Sequence, residues 1–431
     1  MEDAVGHSMN TSDETQATQV VIIGAGQGGY QAAASLRDEG FAGTIHLIGD
    51  EPGLPYQRPP LSKAFLTGEV TAANLALRQE TFFTDKKIET HFGVRALEVD
   101  RATRRVRLSD GTSLAYGHLI FATGSRNIRL PIPGMDLPGV VQLRSLSDAE
   151  DILRQIDQAK RVVVIGAGFI GLEFAAFTIE RGLPTSVLEA AERPMARALS
   201  RVMSQHFQDS HISAGVVFEF GAKAIRIVEE SGRAIGVETA DGRIFEGDLI
   251  LVGVGVRPNV ELAAEAGLRI ENGILVDAQM TTSDPFISAL GDCAAYPSVY
   301  AGGDIVRIES VQNAVDHARC IAARIVGKPA PYKAVPWFWS DQGKLKLQIA
   351  GLTSPHTQTV LRGDPTSGSF SVFCFNGDQL AGVESVNRPA DHMASRKILL
   401  AGLPLTPAQA ADLTVDLKAM VTPPRPARQG P

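Results

Sequence analysis

The chain has 431 residues, of which 44% are hydrophobic, and a formal net charge of −7. At about 100–200 residues per domain, that is room for two or three domains, each with a core of its own. The acidic balance, without any long run of like charge, speaks against a nucleic-acid binder. No stretch reaches the roughly 18 apolar residues of a membrane-spanning helix, and the polar residues 1–18 lack the apolar core of a signal peptide. Those residues are expected to form a disordered arm, with Met9 as an alternative start, and a cytoplasmic location is expected. The three cysteines, Cys293, Cys320 and Cys374, share no C-x-x-C or C-x₄-C spacing. That argues against a disulfide framework, a zinc knuckle, an iron–sulfur site and a local redox-active disulfide, and no metal is expected.

In chain order, an internal similarity stands out first. Residues 19–29 read QVVIIGAGQGG and residues 161–171 read RVVVIGAGFIG. Each is a β-branched run that ends in a glycine cluster. A helical pattern follows each, Tyr30 to Glu39 and Leu172 to Arg181, then a turn at Gly40 or Gly182. A second apolar strand comes next, Thr44 to Gly49 or Thr185 to Leu188. This is β-α-β twice.

Between the copies lie Pro-rich loops and short alternating strands, with Asp110-Gly111 as a hairpin turn. A similar hairpin spans 224–251 around Asp241-Gly242, and 256–295 returns to the style of the first part. A long amphipathic helix from about Ser310 to Val326 stops at Gly327 and Pro329. From Pro331 the composition shifts toward an α+β domain containing Trp337 and Trp339. The expected partition is an arm at 1–18, a discontinuous first domain at 19–122 and 256–330, and a second at 123–255. An α+β domain at 331–421 and a disordered tail at 422–431 complete it. The expected class is α/β, with two Rossmann-like dinucleotide-binding domains and a C-terminal α+β domain.

Each glycine cluster has the spacing G-x-G-x-x-G between a strand and a helix. The first glycine permits the tight turn, the second lets a pyrophosphate approach the backbone, and the third lets helix and strand pack closely. The phosphates then sit on the free N–H groups of the helix start. In the first copy these are Gly24, Gly26 and Gly29, with Gln27 and Gly28 opening the helix and Asp50 ending the next strand, where an acid can hold ribose hydroxyls. In the second they are Gly166, Gly168 and Gly171, with Phe169 and Ile170 between them. Glu189 ends the next strand and would pair with a 2′-OH but repel a 2′-phosphate, which favours NADH over NADPH. Arg193 and Arg197 lie downstream and could weaken that preference, although surface arginines need no such role. Gly253, Val254 and Gly255 in "LVGVGVRPN" supply a further close backbone approach, placed beside the nicotinamide half.

"LPYQRPPLSK" (54–63), "FATG" (121–124), "GAGFIGLEFAA" (166–176), "TSDPFISALGDC" (282–293), "RIESVQNA" (307–314) and "PWFWSDQ" (336–342) occur in that order. With these motifs, residues from about 19 to about 400 resemble the FAD-dependent, NADH-using ferredoxin reductases of the glutathione-reductase superfamily. The resemblance is to the putidaredoxin-reductase type that serves bacterial cytochrome P450 or ring-hydroxylating dioxygenase systems. It implies that Ala122, Thr123 and Gly124 close the first domain on the flavin, and that Gly291 and Asp292 lie on the ribityl and phosphate side. Arg58, Arg144 and the backbone at Ala96 would complete the FAD contacts, the last two on the adenine side. The helix start at Ser310 and Val311 would face the flavin N1/C2=O edge, and Trp339 would border the ring. Lys63, paired with Glu173, would sit by the flavin; a purely structural ion pair is the other reading.

The same resemblance implies hydride transfer from NADH to FAD and single-electron delivery to a [2Fe–2S] ferredoxin. No cysteine lies between the first glycine cluster and "FATG", so electrons must leave directly from the flavin. A monomer or weak homodimer is expected, with no nucleic-acid or membrane partner. An acidic ferredoxin would call for a basic patch, with Arg319, Lys333, Lys344, Lys346, Arg388, Arg396 and Lys397 as candidates. A rubredoxin reductase, a monodehydroascorbate or quinone diaphorase, and a redox sensor resembling apoptosis-inducing factor remain as alternatives.

Overall fold

The computed structural model describes residues 18–421. The expected arm, with its alternative start, and the expected tail lie outside the described residues except for Thr18. The chain forms two compact units. The first comprises residues up to Gln57, Ala72–Arg126 and Arg257–Lys333; the second comprises Arg58–Thr71, Asn127–Val256 and the chain from Ala334 onward. Two features set these units apart from the three-way partition expected from composition. Arg58–Thr71 belongs to the second unit, and so does the C-terminal sheet.

In the first unit, five parallel strands lie in the order Ile287–Ala289, His118–Phe121, Gln19–Ile23, Thr44–Gly49 and Ile88–Phe92. In the second, the order is Val140–Val141, Leu249–Val252, Val162–Ile165, Thr185–Glu189 and Val217–Phe220. The two sheets repeat one topology. Only the first-listed strand differs in origin: it comes from late in the chain in one unit and from before the glycine cluster in the other.

Each sheet's unit also carries a three-stranded antiparallel meander. These are Ala96–Asp100, Arg105–Leu108 and Ser113–Ala115 in the first unit, and Ala224–Glu230, Arg233–Thr239 and Ile244–Glu246 in the second. The single hairpin expected at 224–251 is therefore a meander, with an extra turn at Ser231-Gly232.

Val20–Ile23 and Val162–Ile165 are buried. A parallel strand covered on both faces reads as a continuous apolar run, which is why these two segments are so uniform. Full burial of one such side chain stabilises by about 1.5–3 kcal/mol. The helices that follow, Gln27–Asp38 and Phe169–Glu180, begin three residues before their apolar periodicity does. In the first, Gly28 and Gly29 fill the opening turn and carry no periodic signal; in the second, Gly171 interrupts the apolar run of Phe169, Ile170 and Leu172.

The second unit also holds a five-stranded antiparallel sheet, in the order Trp337–Gln342, Leu345–Gly351, Gln379–Val386, Ser369–Asn376 and Gln358–Asp364. Helix Pro389–Ala401 packs Ala394 and Ile398 against its Phe373, Phe375 and Val383. Among the described residues, no helix is long and apolar enough to cross a membrane.

Candidate functional site

Gly24 turns the chain with φ +111°, and a Cβ there would collide with the Ala122 carbonyl oxygen. A Cβ on Gly29 would collide with the Gly24 carbonyl oxygen. The second glycine behaves differently: around Gly26 a Cβ would meet nothing within 4 Å. Gly26 is also the N-cap of its helix, and no side chain caps that end. A helix start without a side-chain cap leaves backbone N–H groups for another acceptor, and the room at Gly26 lets an anion approach. Gly28 is buried against Leu290 and Ala314, so its missing side chain serves packing.

The second copy repeats the arrangement. Gly166 has φ +104°, and its Cβ would come within 2.6 Å of the Gly253 carbonyl oxygen. Gly171 abuts the Gly166 carbonyl, while the nearest atom to a Cβ on Gly168 is 4.0 Å away. The helix cap at Gly168 likewise has no side-chain hydrogen bond. The caps at Ser145, Ser200 and Ser310 do carry one. The two glycine-led helices are therefore left without a side-chain cap, an arrangement open to an anion.

The acids that end the second strands differ. Asp50 faces solvent and pairs with Arg95 at 3.3 Å. Ala96 follows that arginine and starts the meander. Glu189 is fixed by two backbone donors, accepting at Oε2 from Ala167 N–H (2.7 Å) and at Oε1 from Ala191 N–H (2.8 Å). Its carboxylate stands beside the turn of the second glycine cluster with its charge held in place. Arg193 donates to the carbonyls of Ala196 and Leu199, so its head is engaged. Arg197 has its guanidinium near Gly255, which has φ +108°. Gly253 donates its N–H to the Ile165 carbonyl at 2.8 Å. Val254 follows at the same turn, half-buried. Phe169 packs its ring on Phe338 with centroids 4.6 Å apart, whereas Ile170 is exposed.

In the first unit, Ala122 follows strand His118–Phe121 and donates to the Ile23 carbonyl of the central strand (2.8 Å). Asn259, a residue the motif reading did not single out, clasps the next two positions. Its Nδ2 donates to the Thr123 carbonyl (2.8 Å), its N–H donates to the Gly124 carbonyl (2.9 Å), and its carbonyl accepts from Thr123 Oγ1 (2.7 Å). Asn259 Oδ1 also accepts from Arg126, whose pairing with Glu261 holds that carboxyl down at about 2. Part of "LVGVGVRPN" thus supports "FATG".

Ser125 Oγ donates to Asp292 Oδ2 at 2.7 Å, which orients the acid. Gly291, with φ +67°, donates its N–H to His317 Nδ1 at 3.2 Å. His317 is fully buried between the edges of Tyr296 and Tyr332, and burial pushes its pKa down to about 3. A neutral ring is what accepting that bond requires. Ser310 caps the long helix Val311–Ile325 by accepting from Asn313 N–H at 3.0 Å, and Val311 is its first residue.

In the second unit, Lys63 Nζ lies 2.8 Å from Glu173 Oε2. Glu173 also accepts from Ser62 Oγ at 2.5 Å and Ser340 Oγ at 2.6 Å, so the buried carboxylate has three donors. Ser340 accepts from Gln342 Nε2 (3.2 Å), and Gln342 Oε1 pairs with His211 Nε2 (2.8 Å). Arg58 donates to the Arg144 carbonyl at 2.7 Å, which brings two expected cofactor residues together. The Trp339 ring is half-buried, 5.5 Å from that of Trp337.

All three cysteines are free thiols, and burial pushes each pKa up. Cys293, next to Asp292, donates to the Leu290 carbonyl at 3.2 Å and has no cysteine partner.

Two family models cover most of the chain: pyridine nucleotide-disulphide oxidoreductase over residues 18–318 and reductase C-terminal over residues 337–421. The chain is 52% identical to rhodocoxin reductase of Rhodococcus erythropolis over 402 residues, 93% of this chain and 94% of that one. It is 38% identical to putidaredoxin reductase CamA of Pseudomonas putida over 423 residues, 96% of this chain and 98% of that one. Among solved structures, it matches the ferredoxin reductase for the CYP199A2 system from Rhodopseudomonas palustris with a TM-score of 0.92 and 50% identity. That match covers 94% of this chain and all of the other. With two uncapped glycine-led helices, each followed by a strand-ending acid, the chain is an FAD- and NAD(H)-using enzyme that belongs to the pyridine nucleotide-disulphide oxidoreductase family.

Proposed function

We propose that this enzyme passes electrons from NADH to a [2Fe–2S] ferredoxin that supplies a cytochrome P450 or ring-hydroxylating oxygenase in the cytoplasm. The observation that carries the reading is the isolation of its cysteines: a disulfide relay needs two neighbouring thiols, and Cys293 has no partner. It agrees with the names of similar proteins, rhodocoxin reductase and putidaredoxin reductase, and with a solved putidaredoxin reductase–putidaredoxin complex that matches at a TM-score of 0.90 and 38% identity.

When bound, FAD accepts a hydride from NADH and can release the two electrons one at a time. The protein supplies binding, orientation and electrostatics. The N–H groups after Gly26 would hold the FAD pyrophosphate, Asp50 the ribose and Asp292 the ribityl hydroxyls, with Asn259 and Ser125 keeping the surrounding loop in place. Ala96, Arg58, Arg144, Ser310, Val311 and Trp339 are proposed as further FAD contacts. The helix start at Gly168 would hold the NADH pyrophosphate and Glu189 the adenosine ribose, while Gly253, Val254 and Gly255 leave backbone room for the rest. Lys63 is proposed as a fixed positive charge for the reduced flavin, with Glu173 holding it in position.

The test is anaerobic reduction of the purified holoenzyme by NADH, followed by addition of a [2Fe–2S] ferredoxin coupled to cytochrome c. Fast reoxidation by the ferredoxin is expected. Turnover confined to quinones, ascorbate radical or rubredoxin would overturn the reading.

A further inference from the structure

Strands Thr44–Gly49 and Ile88–Phe92 run parallel in the first unit, with His46 opposite Glu89 and Ile48 opposite His91. Alternate residues of a strand share a face, so Glu89 and His91 project on the same side, where His46 meets them. His46 Nδ1 lies 3.2 Å from His91 Nε2 and 3.2 Å from Glu89 Oε2. All three ligand atoms fall within 4.8 Å of one another.

Zinc bonds of about 2.0–2.1 Å in a tetrahedron put neighbouring ligand atoms roughly 3.3–3.4 Å apart. Two of the three separations, at 3.2 Å each, already match that edge to within about 0.2 Å. Two imidazoles and one carboxylate are a donor set for a borderline ion, unlike the all-oxygen sets that suit magnesium or calcium. His46 is buried, with a side chain only 9% exposed, while the Glu89 side chain is 59% exposed. One ligand is anchored and another lies open to an entering ion.

We propose that His46, Glu89 and His91 form a zinc-type site with three protein ligands and one solvent position, tying the sheet's edge strand to its neighbour. No cysteine takes part, so a search for cysteine spacings passes over it, and the sequence gap between the strands hides the histidine pair.

The test uses the full-length, FAD-loaded protein with any histidine tag removed, treated with a chelator and titrated calorimetrically with Zn²⁺. His91→Ala and Glu89→Gln are the variants, because both side chains reach solvent and their loss leaves the buried His46 in place. One zinc per chain is expected for the wild type, with affinity about tenfold or more lower in each variant. Zinc should raise the thermal midpoint of the wild type more than that of either variant. X-ray absorption should show imidazole ligands at about 2.0–2.1 Å. Absence of saturable binding, or undiminished affinity in either variant, would overturn the proposal.

Discussion

Lys63 is the only charged partner within ion-pair distance of Glu173 among the described residues, at 2.8 Å, and the Glu173 side chain is 2% exposed. Removing one member of such a pair strands the other charge in a dry site, at a cost of about 3–5 kcal/mol. The Lys63 side chain is 20% exposed, so the cost should fall at the low end of that range. Lys63→Met is therefore expected to lower the thermal midpoint, and adding Glu173→Gln should restore part of the loss. A double variant less stable than Lys63→Met would show that the pair is not coupled in this way. Lys63→Met should also slow flavin reduction by NADH, by about 10²-fold if the proposed electrostatic role holds.

The two kinds of glycine in each cluster should respond differently to alanine. Gly29→Ala places a methyl on the Gly24 carbonyl and should compromise folding, as Gly171→Ala should at the Gly166 carbonyl. Gly26→Ala meets nothing in the protein, so it should fold normally and yet be purified with little FAD. Gly168→Ala should fold, retain FAD and raise the KM for NADH by about tenfold or more, because its methyl would enter the space proposed for the pyrophosphate. Circular dichroism with flavin content separates these outcomes; full flavin occupancy in Gly26→Ala would contradict the assignment of that cradle.

Glu189 should set the choice of nicotinamide. Its two backbone hydrogen bonds fix the carboxylate, so a 2′-phosphate would have to approach a charge that cannot swing away. Like-charge juxtaposition of this kind costs several kcal/mol. Glu189→Gln keeps the shape and removes the charge. The ratio of kcat/KM for NADH to that for NADPH should fall by about 10-fold or more, and an unchanged ratio would move the discrimination elsewhere.

Arg319 offers an accessible test of ferredoxin docking: its side chain is 60% exposed and pairs with Asp316 at 3.3 Å. Arg396 is a poorer probe, since its guanidinium stacks on Trp337 at 4.5 Å and a reversal there would disturb packing. Arg388 is similarly committed, to Asp391 at 2.7 Å. Arg319→Glu should raise the KM for an acidic ferredoxin and weaken its salt dependence, while NADH-driven ferricyanide reduction stays as it was. Equal KM and equal salt dependence would remove Arg319 from the docking surface.

Much of this enzyme was legible in its sequence, for physical reasons that differ from place to place. Val20–Ile23 and Val162–Ile165 announce themselves because strand segments buried on both faces must be apolar throughout. The helix Val311–Ile325 is readable from its apolar stripe and from the stop at Gly327 and Pro329. Helices Leu146–Ile156 and Arg201–Ala214 lie outside the sequence motifs, although Ser145 with Asp148 makes a capping box and Gly215, at φ +106°, a C-cap.

Asn259 could not be found the same way, since its four hydrogen bonds join positions far apart in the chain. Nor could the bond from Gly291 to His317, which depends on how the long helix packs. Ser62 and Ser340 became visible only when tertiary packing brought them to Glu173.

The central claim is that electrons pass from NADH to FAD and leave without any cysteine relay. An anaerobic titration of the holoenzyme with NADH, followed by its visible flavin absorbance, tests it most directly. The account predicts complete bleaching at one molar equivalent of NADH, with the same endpoint after thiol alkylation, and full recovery of colour on adding oxidised [2Fe–2S] ferredoxin. Consumption of a second equivalent before bleaching, abolished by alkylation, would reveal a redox-active disulfide and contradict it.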